Sequence, residues 1–489
     1  MRAINFKQKN IMRQIKFLTL LLIAMLVTSC EDTFLSPELL TGINADSYFA
    51  NDSEIQAGVL NIYDGVQGIN ALKITNNNLN HGVQVEFYLT EMRSDNTETK
   101  SNEGEAAQFE FFNVESTNGI VADYYRSYYN VIFRANLVLE NLGAASADRV
   151  ASFEAEAKFL RAYAYFNLVR LFGEVPLVDK VIAPLDTQTA YTRVSTTTIY
   201  DLIVSDLQTA VANLTDGGAK DQASKAAAQG LLAKVFLTLN RYGEAQSLCE
   251  DIMNPSRGFV LENDFRDIFY SEGNDEVIFA IGYVAGSNDD SQNFSAEWLN
   301  AVGRTSGVNY MTTDAKTSLD TNGGNRTQYS YREDSGQAGK YQVVKYLPNG
   351  DTNLGIPVTS SDATSAGNDW IVLRYADVVL MHVESILAGG ASTTSSNALA
   401  SFQLIRDRAG LTTPVTSITK EELLEERRVE LAFENQRFFD LVRMGVAQDV
   451  LSAFSTANGL GFSSTDLLLP IPQIEIGLSN GVLTQNPGY

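Results

Sequence analysis

Apolar side chains recur at three- and four-residue intervals over much of the chain. The stretch 120–141, IVADYYRSYYNVIFRANLVLEN, puts Tyr124, Tyr128, Ile132, Ala135 and Val138 on one stripe. That pattern predicts an amphipathic helix with one buried face. Residues 151–172, ASFEAEAKFLRAYAYFNLVRLF, repeat it, and Gly173 and Pro176 end the run. Ser195 is placed to cap a helix through Tyr200, Ile203 and Leu207. Between 281 and 370 the texture changes: Gly, Ser, Asn, Asp and Thr dominate, and short strand patterns are confined to Glu276–Val284 and Tyr341–Leu347. A long irregular region inside a folded protein usually carries function. This one holds both tryptophans, Trp298 and Trp370.

The stretch 226–255 carries a further spacing. Ala233, Phe236 and Ala245 stand where a tetratricopeptide repeat has its small, aromatic and small positions. Small residues let two helices approach closely, and the phenylalanine fills the space beside them. A second pair is expected over 374–409, where ADVVLMHVESIL precedes a Gly/Ser/Thr loop and NALASFQLIRDRAG. The units diverge, so repeat-like helical pairs are expected rather than a regular array.

The amino-terminal pattern differs. Residues 17–30 read FLTLLLIAMLVTSC, after Arg2, Lys7, Lys9, Arg13 and Lys16 and before any acid. The apolar run is about half the ~20 residues that cross a bilayer. A basic start, a short apolar core and small residues predict a secretory signal. Val27-Thr28-Ser29-Cys30 resembles a bacterial lipobox, which predicts cleavage before Cys30 and its acylation. Residues 31–55 then read as a polar tether, beginning with Glu31 and Asp32.

Loss of residues 1–29, with five basic residues and no acid, takes the formal charge from −23 to −28. Such an acidic chain lacks the basic footprint of a nucleic-acid binder, and it would not lie flat on anionic lipid. Hydrophobic residues make up 44%, enough for a large core in a chain of this length. With Cys30 acylated, Cys249 has no intrachain partner, which excludes disulfides and cysteine-built metal sites.

Residues 421–445, EELLEERRVELAFENQRFFDLVRMG, predict one densely charged helix. Glu425/Arg428, Arg427/Glu430, Glu434/Arg437 and Asp440/Arg443 are each three apart, so opposite charges can meet on one face. Two of these acids could be read as a glycosidase pair. A nearby arginine would hold each ionised, whereas a general acid needs the opposite shift, so the structural reading is preferred. Asp320, Asn322 and Asn325 approach a calcium-loop pattern without its closing glutamate and are read as a turn. His382 reads as a packing residue, and His81 as too isolated for a metal site.

An indole in a polar loop can stack on the flat face of a sugar while amides and charged groups bind its hydroxyls. Trp298 is the first candidate for that platform, with Arg304, Asn309 and Tyr310 beside it in sequence. Trp370, next to IVLRYADVVL, reads better as a packing anchor but stays a candidate. Arg93, Asp95 and Asn96 in EMRSDNTE form a second polar cluster, explained equally by helix capping and by ligand binding.

Several long stretches resemble the SusD/RagB family of nutrient-binding outer-membrane lipoproteins: AEAKFLRAYAYFNLVRLFGEVPLV at 155–178, LRYADVVLMHVESI at 373–386, IRDRAGL at 405–411, EERRVELAFENQRFFDLVRMG at 425–445 and LLLPIPQIEIGLSNGVLTQNPGY at 467–489. His382 stands where the family often has an aromatic residue, and 281–370 matches least. The resemblance implies a mainly α fold built around four tetratricopeptide-like helix pairs. It implies a surface lipoprotein that caps a SusC-like TonB-dependent transporter barrel. It also implies binding without catalysis and without a cofactor, the ligand being an oligosaccharide or, in some members, a peptide. Glu31 and Asp32 resemble the acidic signal that sends such lipoproteins outward. The expected organisation is a signal peptide over 1–29, a lipidated tether over 30–52, a helical part over 53–280 and a carboxy-terminal part over 281–489 with the variable loops. A surface glycoside hydrolase is the competing reading from another class.

Overall fold

Asn51 opens the first long helix, α1 (Asp52–Gln67), where its side-chain oxygen accepts the amide hydrogens of Ser53 and Glu54. Those donors have no partner inside the helix, and a cap supplies one. Asn118 does the same for α2 (Gly119–Glu140). The third helix, α3 (Val150–Phe172), ends at Gly173, whose φ of 70° a side chain would resist. Ser195 caps α4 (Thr196–Asn213), as its sequence context predicts, and Ser224 caps α5 (Lys225–Thr238). After three intervening residues α6 (Tyr242–Ile252) begins. After α7 (Thr313–Asn322) come α8 (Tyr375–Leu387) and α9 (Ser396–Arg408). The computed structural model describes residues 48–70, 80–99, 104–183, 186–299 and 309–489. The expected signal peptide and Cys30 lie outside these, as does Arg304.

Helices α1 to α6 pack each on the next, α6 packs on α8, and α8 packs on α9. The series forms four consecutive pairs: α1 with α2, α3 with α4, α5 with α6, and α8 with α9. Ala233 and Ala245 are fully buried and Phe236 is 3% exposed. The small–aromatic–small spacing therefore does mark the seam of a helix pair. Cys249 is buried in the same pair.

Short strands lie against this stack. β1 (Thr97–Thr99), β3 (Asn309–Met311), β5 (Tyr341–Val343) and β4 (Tyr331–Glu333) make a four-stranded sheet in the order β1-β3-β5-β4. β2 (Val277–Ile281) pairs antiparallel with β6 (Trp370–Arg374). The expected strand regions contain β2 and β5. Gly230 of α5 is where the β2–β6 ribbon meets the helices. A Cβ added there would lie 2.2 Å from Leu373 Cδ2, so the glycine permits the close approach.

The expected single helix over 421–445 is corrected. It divides into α10 (Lys420–Glu430) and α11 (Arg437–Arg443), separated by a turn in which Phe433 and Asn435 take φ of 65° and 57°. The expected ion pairs along one face are corrected too. Asp440 and Arg443 do meet, at 2.8 Å. The other charges point inward to distant partners. Arg374 reaches Glu276 at 2.7 Å, Glu430 at 2.5 Å and Glu434 at 2.8 Å. Glu430 also takes Arg326 at 2.7 Å, and Arg427 takes Asp377 and Asp440 at 2.9 and 2.8 Å. A buried charge is tolerated only when paired. The turn between α10 and α11 lets acids and bases of both helices find such partners.

Candidate functional site

A groove of about 920 Å³ runs beside the first half of α2. Asp123, Arg126 and Asn130 of α2 line one wall, and Asn80, His81, Gln473 and Ile474 line the others. α2 buries Tyr124, Tyr128, Val131 and Ile132. Its polar stripe must therefore face away from the core, here into the groove. Ser116 and Thr117 close the end nearest the helix start, where Ser116 accepts the amide hydrogen of Gln473 at 2.8 Å. His81 Nδ1 contacts Asp123 Oδ2, and Ser127 donates to Asp123 Oδ1 at 3.4 Å. Arg126 donates to Glu475. His81 Nε2 and Asn130 Oδ1 are buried and bond nothing among the described residues. Ile474 is half exposed at 50%.

The arrangement offers hydroxyl, amide, imidazole, guanidinium and carboxylate groups around an open channel. That is a hydrogen-bonding surface for a polyhydroxylated ligand. Among the described residues no group of three or more His, Cys, Asp or Glu is placed to hold a metal. Asp320 instead engages Lys316 and Tyr331, Asn322 donates to Glu425 at 3.0 Å, and Asn325 to the Arg408 carbonyl at 2.9 Å.

The residues singled out from sequence lie elsewhere. Trp298 does not face solvent as expected, and that expectation is corrected. It is 1% exposed, with the rings of Phe87, Phe433 and Tyr346 at 5.6, 5.8 and 6.5 Å. A bulky apolar ring beside a loop gains more by entering the core than by staying wet. Trp370 packs against Phe294 and Tyr346, both at 5.5 Å, which agrees with the anchor reading.

The two polar clusters come together, although 217 residues separate Asp95 from Thr312. Thr312 donates to the Asp95 carbonyl at 2.8 Å, and β1 pairs with β3, Glu98 opposite Tyr310. Their side chains serve the fold. Arg437 grips Asp95 with two bonds of 2.8 Å, and together with Arg428 holds that buried carboxyl well below the usual carboxylate range. Asn96 donates to Glu91 at 2.9 Å and accepts from Arg428 at 2.8 Å. Arg93 stacks over Phe438 at 4.2 Å and donates to the Leu89 carbonyl at 3.1 Å. Tyr310 donates to Asp334 at 2.6 Å. Asn309 is fully buried, and neither end of its amide finds a partner among the described residues.

Sequence reasoning missed Asp123, Arg126, Asn130 and Gln473. For the first three the only signal was their place on the polar stripe of α2, which any solvated helix face would also show, and Gln473 gave none.

Two family models match the chain. One, the SusD family, covers residues 291–489, and the other, described as starch-binding and associating with the outer membrane, covers 52–237. The chain belongs to the SusD/RagB family. A SusD-like protein, P2, of Formosa agariphila is 26% identical to it over 96% of this chain and 99% of that protein. A laminarin-binding SusD-like protein of known structure superposes with a TM-score of 0.74 and 25% identity, covering 90% of this chain and all of that one. Surface glycan-binding protein A of Bacteroides thetaiotaomicron, in complex with laminarihexaose, shares the fold with a TM-score of 0.72 at 22% identity, over 89% of this chain and 99% of that one.

Proposed function

We infer that this protein binds an oligo- or polysaccharide in the groove beside α2. The observation that carries the reading is the likeness, over 90% of the chain, to a SusD-like protein that binds laminarin. The groove's chemistry supports it. Amides and charged groups line a groove of about 920 Å³, room enough for several sugar units. In the same reading the ligand is held and not cleaved. Asp123 is engaged by His81 and Ser127 and Glu475 by Arg126, which leaves no free acid–base pair there. The protein is tied to the outer membrane through acyl chains on Cys30, faces the exterior and passes its ligand to a SusC-like TonB-dependent barrel. No helix among the described residues is long and apolar enough to cross a membrane, which fits a lipid anchor.

Calorimetric titration with laminarin, other polysaccharides and peptides tests the reading. Saturable binding to a polysaccharide, with its chain length unchanged after incubation, is expected. Binding confined to peptides, or the appearance of shorter products, would overturn it.

A further inference from the structure

A second cleft, of about 330 Å³, lies beside the β2–β6 ribbon and shares no lining residue with the groove. The rings of Phe269, Tyr270 and Tyr283 form part of its wall. The Tyr270 hydroxyl is spent on the fold: it accepts the Leu347 amide hydrogen at 2.8 Å and donates to the Val344 carbonyl. Tyr283 likewise donates to the Gln67 carbonyl at 2.8 Å. Both hydroxyls are thus engaged within the fold, and what these residues bring to the lining is ring surface.

Asn368 and Asp369 stand side by side on the same wall. Asn368 is only 6% exposed, yet its bonds use its oxygen, which accepts from Thr359 at 3.3 Å, and leave its amide hydrogens free. Asp369 accepts the Tyr283 amide hydrogen on Oδ1 at 3.0 Å and has no ion-pair partner among the described residues, so Oδ2 remains open. Lys220 is the only cation of the lining. Its ammonium sits 5.2 Å from the centre of the Phe259 ring, with Asp275 and Asp216 as its electrostatic neighbours. The charged groups that act on Asp369 are instead Glu272 and Asp221, both negative. With burial they raise its carboxyl to about 6. A half-buried acid among acids, with a free amide donor next to it and three aromatic residues in the same lining, has no cation paired with it among the described residues.

We propose that this cleft is a second binding site, for a sugar-sized ligand that carries a protonated amine. The ammonium would pair with Asp369 Oδ2, a hydroxyl would accept from the Asn368 amide, and the ring would lie on an aromatic face.

Trp370 follows Asp369 directly and packs on Phe294, which in turn meets Tyr283 at 5.9 Å. Tryptophan emission thus reports on the cleft. The purified protein is titrated at pH 7.5 with glucosamine, with glucose and N-acetylglucosamine as uncharged controls and glycylglycine as an amine from another source. Glucosamine should give a saturable change by about 10 mM, within the weak range of small ligands, and bind at least tenfold better than either control. Asp369→Asn keeps the acceptor for Tyr283 and should weaken glucosamine at least tenfold. Ser271→Lys, at the exposed rim, should weaken it severalfold while leaving the melting temperature unchanged. Equal binding of glucose, retention of affinity in Asp369→Asn, or no saturable response to glucosamine would overturn the proposal. Preference for glycylglycine would overturn the sugar assignment. Laminarin binding is followed in the same variants and should not change, which keeps this site's test separate from that of the groove.

Discussion

The two tryptophans show how a residue's size overrides its neighbourhood in sequence. Trp298 lies in a polar stretch, yet its indole fills the space between Phe87, Phe433 and Tyr346. Trp298→Ala should therefore cost about 3–5 kcal/mol of stability, as large-to-small changes in cores do. A denaturant melt checks this, and a change under ~0.5 kcal/mol would contradict the packing. Glu91 gives a prediction with a sign. Burial raises its carboxyl from 4.5 to about 7, while Asn96 and the Phe433 amide bond only one of its oxygens. Below about 4.5 the group is neutral folded and unfolded, and contributes no pH-dependent term. As pH rises towards 7 the unfolded chain has released the proton and the folded one has not, so stability falls. Glu91→Gln should remove that fall. Its unfolding free energy should exceed the parent's at pH 8 by an amount on the order of 1–3 kcal/mol, with the gain shrinking towards pH 5, as denaturant melts at each pH would show. Depressed groups such as Asp95 act oppositely, and their contribution is lost only as pH falls into the acid range.

At the scale of elements, the long helices were legible because a buried stripe leaves a period in the sequence. The alanines and phenylalanine of α5 and α6 marked a close seam for the same reason. β5 fell in an expected strand region, but the other three-residue strands leave no period and the β1–β3 pairing joins segments far apart in sequence, so the rest of the four-stranded sheet was hidden. The charges of α10 and α11 misled because their spacing also suits a solvated face. Burial and the intervening turn depend on partners such as Arg374 and Arg326 that sequence spacing does not reveal. The candidate site was less legible still, since its walls come from α2, the 80–81 segment and the carboxy-terminal 473–474 segment. One helix end offers a clean test. Ala388 closes α8 with φ 49° and ψ 43°, a left-handed conformation on an exposed residue. Ala388→Gly should stabilise the protein by about 0.5–1 kcal/mol, because glycine adopts that conformation without strain. A loss of stability in a thermal melt would contradict the cap.

Across the whole molecule, four helix pairs and a buried ion network hold the groove on one side and the second cleft beside the β2–β6 ribbon. The membrane tie is expected to depend on Cys30 alone. Cys30→Ala should fold normally and leave the membrane fraction of cells lacking the partner barrel, as fractionation and immunoblotting would show. Retention in that fraction would contradict the lipobox. The central claim, that a glycan seats in the groove, is tested most directly by calorimetric titration of laminarin into the parent protein and into Arg126→Ala and Asn130→Ala. Both side chains face the groove and neither is fully buried, so the melts should match the parent's. Each variant should lose about 1–3 kcal/mol of binding free energy, the size of a lost hydrogen bond to a ligand. Parent-like affinity in both variants, with laminarin still bound, would place the glycan elsewhere on the surface.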